Sequence, residues 1–191
     1  MLFGDPSQFA VEAQLEPGPE FGPIQGRNLV GRIRVWIGGR AVGRYDEPAC
    51  WLGPPLKHLE EMCSQLDGLW DPSFEGLSTD AIYDRLDYLV FLSHRDRRLG
   101  CDWSEEERAK HERESDGFDR FYFLLHSSEA FDGWKAFLLR PTATHLIAVV
   151  SQAPQKVVVS HRFPVEDFES AVAAFSVWLH SEEQRLIPRL R

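Results

Sequence analysis

"GRIRVWIGGRAVGRY", residues 31–45, alternates apolar and polar side chains up to a pair of glycines. Ile33, Val35 and Ile37 fall on one side and Arg32, Arg34 and Trp36 on the other, the period of two that an extended strand converts into two faces. Gly38-Gly39 then supplies a two-residue turn whose residues accept positive φ. The stretch predicts a β-hairpin with an apolar inner face and an arginine-bearing outer one. Such arginines could bind phosphate, although a hairpin's solvated face commonly carries them for solubility alone.

Upstream, "SQFAVEA" (7–13) sets Phe9 and Val11 on one face of a short strand, and "EPGPEFGPIQG" (16–26), with its prolines and glycines, reads as a loop. Downstream the period changes. Leu56, Leu59, Cys63 and Leu66 recur at three and four, which predicts an amphipathic helix with Cys63 as a core thiol. Asp71-Pro72 marks a loop. Thr79 is placed to cap a second helix carrying Ile82, Leu86, Leu89 and Ser93 along one side. Asp80, Asp84 and Asp87 line a flank of that helix; three aligned carboxylates could hold a metal, but such a row is more often a solvated face.

The C-terminal part holds four β-prone runs: "RFYFLLH" (120–126), "WKAFLLR" (134–140), "THLIAVV" (144–150) and "KVVVSHRF" (156–163). The gaps between them are too short for crossover helices, so the strands are expected to be antiparallel neighbours. Pro164 and the acids Glu166, Asp167 and Glu169 suit the first turns of a final helix, whose stripe is Val165, Phe168, Val172, Phe175 and Leu179. These elements predict an α+β fold: a largely antiparallel sheet, made of the N-terminal hairpin and the C-terminal meander, packed against about three helices. At 191 residues, 43% of them hydrophobic, the chain has enough apolar surface for one domain over 1–191.

"MLFGDPSQFA" has no basic stretch followed by an apolar run, so no secretory signal is expected, and no window approaches the ~18 apolar residues of a membrane helix. Cys50, Cys63 and Cys101 are odd in number and widely spaced, unlike a disulfide framework or a zinc knuckle. The expectation is a cytoplasmic protein. Its net charge is −9; residues 60–116 hold 16 acidic and 7 basic residues, and the remainder holds 14 of each, so all the excess lies in the middle third. A field of that sign repels nucleic acid and anionic membranes and attracts basic partners, although acidity also simply favours solubility.

The chain contains no G-x-S-x-G, H-E-x-x-H, C-x-x-C or Walker loop, and no cofactor or metal is expected. Its histidines (58, 94, 111, 126, 145, 161 and 180) are scattered. His126, His145 and His161 could meet in the meander as a zinc site. Pairings of His126 with Ser127, or of Cys101 with His111, stay open because only the fold sets such partners.

"CDWSEEERAKHERESDG" (101–117) carries the densest charge. Ser104 and Glu107 form a capping box, so a helix can start there. Glu106–Lys110, Glu107–His111, Arg108–Glu112 and Lys110–Glu114 are spaced for i,i+4 pairs. From 104 to 117 the sole apolar residue is Ala109, so the segment is expected to lie on the surface as a charged excursion over about 96–117. Such a helix cannot bury a general acid or a metal ligand. It suits docking to a basic protein through Glu105, Glu106, Glu107, Glu112, Glu114 and Asp116.

"LFGDPSQFAVE", "GRIRVWIGGRAVGRYDE" and "SSEAFDGWKAFLL" together resemble the immunity proteins of bacterial polymorphic-toxin systems, and most closely the immunity protein 42 family, over Leu2 to about Leu179. The resemblance implies a non-enzymatic protein that binds a cognate toxin domain and occludes its active site or substrate groove. It does not extend to the acidic stretch. A guard expected in the cytoplasm implies a toxin with a cytoplasmic target, and toxins that bind nucleic acid are usually basic. The other class of function is an enzyme or small-molecule-binding domain whose site, drawn from His126, His145, His161, Glu129 and Asp132, assembles only in three dimensions.

Overall fold

The computed structural model describes residues 1–17, 24–25, 28–92, 103–124, 128–153 and 157–186. The predicted hairpin lies within a larger sheet. β1 (Leu2–Asp5) and β2 (Phe9–Leu15) pair antiparallel, and β2 pairs with β4 (Asn28–Ile37) from Phe9↔Ile37 to Leu15↔Gly31. β4 turns at Gly38-Gly39 into β5 (Arg40–Val42), while its other end pairs with β3 (Ile24–Gln25) and β6 (Cys50–Trp51). Ile33, Val35 and Ile37 are buried and Arg32, Arg34 and Trp36 are half-buried, as the alternation requires. β1 has no counterpart in the sequence reading. It approaches the core so closely that a Cβ on Gly4, at φ +97°, would lie 2.5 Å from the Phe9 carbonyl and 2.8 Å from Ala171 Cβ.

The second sheet is the antiparallel meander β7 (Trp134–Thr142), β8 (His145–Gln152) and β9 (Val157–Pro164). Among the described residues it has three strands, not the four that the β-prone runs predict. Phe118–Phe121 wind into a 3₁₀ turn, Tyr122 makes a single bridge to Phe137, and Phe123 N–H donates to the Ala136 carbonyl at 3.1 Å. The reason lies in burial: Phe121, Tyr122, Phe123 and Leu124 are all buried, so the run has no solvated face to alternate with. A short apolar run of this kind does not declare its conformation.

Four α-helices are described: α1 (Gly53–Ser64), α2 (Thr79–Asp87), α3 (Glu105–Ser115) and α4 (Val165–Leu186). Ser78 rather than Thr79 caps α2; its extended backbone aims Oγ at Ala81 N–H, 3.2 Å away, and leaves Thr79 as the first helical residue. A π-helical turn, Tyr88–Leu92, continues α2, and Ser93 of the expected stripe lies outside the described residues. α4 lies against β1 and β2 with α1 beside it. Phe168, Val172, Phe175 and Leu179 of its stripe are buried as expected, joined by Ala171, while Val165 in the first turn is half-buried. Phe9 connects the layers, since its ring lies 5.5 Å from Phe163 of β9 and 4.8 Å from Phe168 of α4.

The glycine turn also touches the second sheet. Gly38 and Gly39 have φ of 57° and 79°, and a Cβ on Gly38 would sit 2.6 Å from the His161 ring whereas one on Gly39 would meet nothing. Gly39→Ala should therefore cost only the left-handed backbone penalty, about 1 kcal/mol. Gly38→Ala adds a clash with a packed ring and should cost about 3 kcal/mol. Urea unfolding of the two variants measures the difference, and equal losses would refute the packing of the turn on β9.

Candidate functional site

The expected contact residues Glu105, Glu106, Glu107, Glu112, Glu114 and Asp116 all lie exposed on α3 or at its C-terminal cap. The capping box forms in both directions: Glu107 N–H donates to Ser104 Oγ at 3.2 Å, and Ser104 N–H donates to Glu107 Oε2 at 2.9 Å. Glu105, Glu106 and Glu107 occupy the first turn, where the helix dipole favours negative charge. Of the anticipated i,i+4 pairs, Lys110–Glu114 is an exposed contact at 3.9 Å, and Glu107 turns back to its cap instead of toward His111.

α3 does pack on the body, which its lack of an apolar stripe did not suggest. His111 is its one buried residue, 4% exposed. The imidazole sits against Tyr88 (5.1 Å, 89°) and Trp103 (5.1 Å, 67°), and neither ring nitrogen has a hydrogen-bond partner among the described residues. Edge-to-face aromatic contacts stabilise such a ring beyond its buried area. Sequence reading weighed His111 as an ion-pair or nucleophile partner and missed it as the anchor. The available signal was Trp103 beside the cap, with the histidine two turns on. Cys101 lies outside the described residues, and with it the suggested Cys101–His111 pair.

On α2 the carboxylate row divides. Asp80 and Asp84 are exposed, whereas Asp87 forms an ion pair with Lys135, whose ammonium also lies 4.6 Å from the Phe91 ring. Tyr88 follows Asp84 by one turn, its N–H donating to the Asp84 carbonyl, and its side chain is exposed. Tyr88 therefore stands between the acids of α2 and those of α3.

The described residues of the alternative site do not converge. His145 pairs with Pro164 and His161 with Ala148, three positions apart along β8, so the two imidazoles point to opposite faces. Glu129 and Asp132 are exposed in the turn before β7, while His126 and Ser127 lie outside the described residues. No group of three or more His, Cys, Asp or Glu among the described residues is placed to hold a metal ion. Ser176 Oγ donates to Glu60 Oε1 at 2.7 Å and lies 3.3 Å from His180 Nδ1, but here the carboxylate takes the hydroxyl proton, so the group ties α4 to α1 and leaves the serine unactivated. Burial, with help from Glu169 and Glu60, pushes the Cys63 thiol up to about 12, an unreactive thiol. A cavity of about 10 Å³ beside His58 and Phe131 has room for one water.

The arginine face is occupied internally. Arg32 reaches Glu16 at 3.3 Å, and Arg34 reaches Glu12 at 2.7 Å while stacking between Trp36 and Tyr45. Partial burial works to raise the Glu12 pKa, but the hydrogen bonds from Arg34 and Trp36 outweigh it and hold the carboxyl below its usual range. These carboxylates fill the positions that a phosphate would need. Among the described residues no helix is long and apolar enough to cross a membrane.

A family model described as Immunity protein 42 matches residues 1–178. The crystal structure of CdiI from Burkholderia dolosa AUO158 is similar, with a TM-score of 0.60 at 16% identity, covering 93% of this chain and 99% of that one; at such identity the likeness is one of fold. No curated protein matches the chain.

The capping box makes α3 sensitive to acid. Hydrogen bonds from Ser104 hold the Glu107 carboxyl below its ordinary 4.5. A depressed carboxylate pKa contributes stability above the unfolded value and loses it as pH falls through the folded one. Cα chemical shifts of Glu105–Ser115 should therefore lose helical character below about pH 4.5 while those of α4 persist. Ser104→Ala should remove that step; a step unchanged by the substitution would assign it to another group.

Proposed function

The chain belongs to the Immunity protein 42 family and is a toxin-neutralising immunity protein, and from that premise we propose that it blocks a basic toxin domain by docking the carboxylates of α3 over the toxin's substrate groove. The observation that carries this is the division of labour in α3. One imidazole secures the helix, and Glu105, Glu106, Glu114 and Asp116 stand exposed to solvent rather than packed against the core. Charges spent on folding are paired and withdrawn from solvent, like half-buried Glu12 and buried Glu16 on the arginine face.

Inhibition on this reading is stoichiometric and uses no catalysis by the immunity protein. The protein acts in the cytoplasm, in keeping with the unpaired thiols of Cys50 and Cys63. A guard there meets a toxin aimed at nucleic acid, a nucleotide or the translation apparatus, and a surface that binds polyanions is complementary to an acidic helix.

Steering by exposed charge acts on the association rate and is screened by salt. Combined Lys substitution of Glu105, Glu106, Glu107, Glu112 and Glu114 should slow association with the toxin domain encoded by the neighbouring gene about tenfold at low ionic strength. The difference should shrink as salt is added. Stopped-flow measurement across ionic strength tests this, and identical rates at every salt concentration would exclude α3 as the docking face.

A further inference from the structure

We propose that the exposed ring of Tyr88 is the seat for a lysine or arginine side chain of the toxin, at the centre of an acidic surface shared by α2 and α3; the proposal rests on the reading that α3 faces the toxin. Tyr88 is 43% exposed although it adjoins the core residues Leu89 and Val90. Its ring meets His111 edge to face and remains partly open to solvent. Asp84 precedes it by one helical turn and Asp80 by two, which puts both exposed carboxylates on the face from which the ring projects. From α3, Glu114 lies three positions after His111, on the side of that helix turned toward Tyr88.

An aromatic face framed by carboxylates attracts a cation in two ways. The ring quadrupole favours positive charge above its face, and the acids compensate the charge as water leaves. Interfaces concentrate their binding energy in such buried aromatic anchors, while peripheral charges set mainly the encounter rate. The partner is basic because the exposed carboxylates of the two helices that meet at this ring, Asp80 and Asp84 of α2 and those of α3, call for positive charge opposite them.

His111 is the positioning residue. Burying an imidazole with no hydrogen-bond partner among the described residues is unfavourable in itself. What the ring does there is wedge between Tyr88 and Trp103, fixing both the angle of the tyrosine and the place of the acidic helix.

The test measures binding of the same neighbouring-gene toxin domain to Tyr88→Phe, Tyr88→Leu, Asp84→Asn, His111→Phe and His111→Ala by surface plasmon resonance. Tyr88→Leu should speed dissociation about tenfold with association unchanged, and Tyr88→Phe should stay within about twofold of the native chain. Asp84→Asn, a surface change that leaves the fold alone, should speed dissociation about threefold. His111→Phe should preserve binding where His111→Ala loses it. The proposal is overturned if the Leu and Phe variants of Tyr88 behave alike and Asp84→Asn has no effect. It is also overturned if Tyr88→Leu abolishes self-association in sedimentation and leaves toxin binding intact, which reassigns the ring to a second copy of this chain. Slower association in the α3 charge variants with no Tyr88 effect retains the steering surface and removes the anchor; the reverse pattern retains the anchor and removes steering.

Discussion

Phe9 is the point on which the two sheets and the long helix depend. Its side chain is fully buried, lies nearly parallel to Phe163 of β9 and tilts onto Phe168 of α4, so a single ring joins elements more than 150 positions apart in the chain. The contact requires close approach around it. Gly4 lets β1 come within contact of Ala171, Gly31 lets β4 pass the Gln14 carbonyl, and Gly38 receives the His161 ring. A larger side chain at any of these positions would hold the layers apart, and interiors this dense have no slack to absorb the displacement. The structural glycines follow from the packing of the aromatic core.

The acidic region obeys a different constraint. α2 is anchored to the second sheet through Tyr83 on Phe137, and the π-helical turn continues inward through Phe91 on Tyr122 and Phe137. Among the described residues α3 has no comparable apolar footing and meets the body at His111. A helix attached through one ring is expected to open locally at lower free energy than the core, as recognition elements commonly do. Most of its carboxylates stand exposed to solvent. For the docking proposed for α3, exposed surface charge would act mainly on the rate of encounter.

The legible parts of the chain are those whose conformation follows from near neighbours. The β4–β5 hairpin, α1, α4 and the three strands of the meander declare themselves by period and by turn residues, and the capping box at Ser104 by four consecutive positions. The run at Phe121–Leu124 misleads because all four of these side chains are buried, which removes the alternation that identifies a strand. β1 stays hidden because four residues interrupted by a glycine carry no period. The histidines of the meander looked able to converge until the register placed His145 and His161 on opposite faces. A slip of one residue would have reversed that outcome, and no local signal specifies it.

The candidate site divides in the same way. That Glu105, Glu106, Glu107, Glu112, Glu114 and Asp116 stand on the surface was determined by the sequence itself, because a helix without apolar residues has nothing to bury them against. The tertiary structure decided that His111 is buried, that Tyr88 is its partner and stays half-open, and that Asp80 and Asp84 frame the same ring. These facts join surfaces from separate helices across a stretch of intervening chain. Packing between distant segments is settled by shape and desolvation at the contact, which no local spacing encodes.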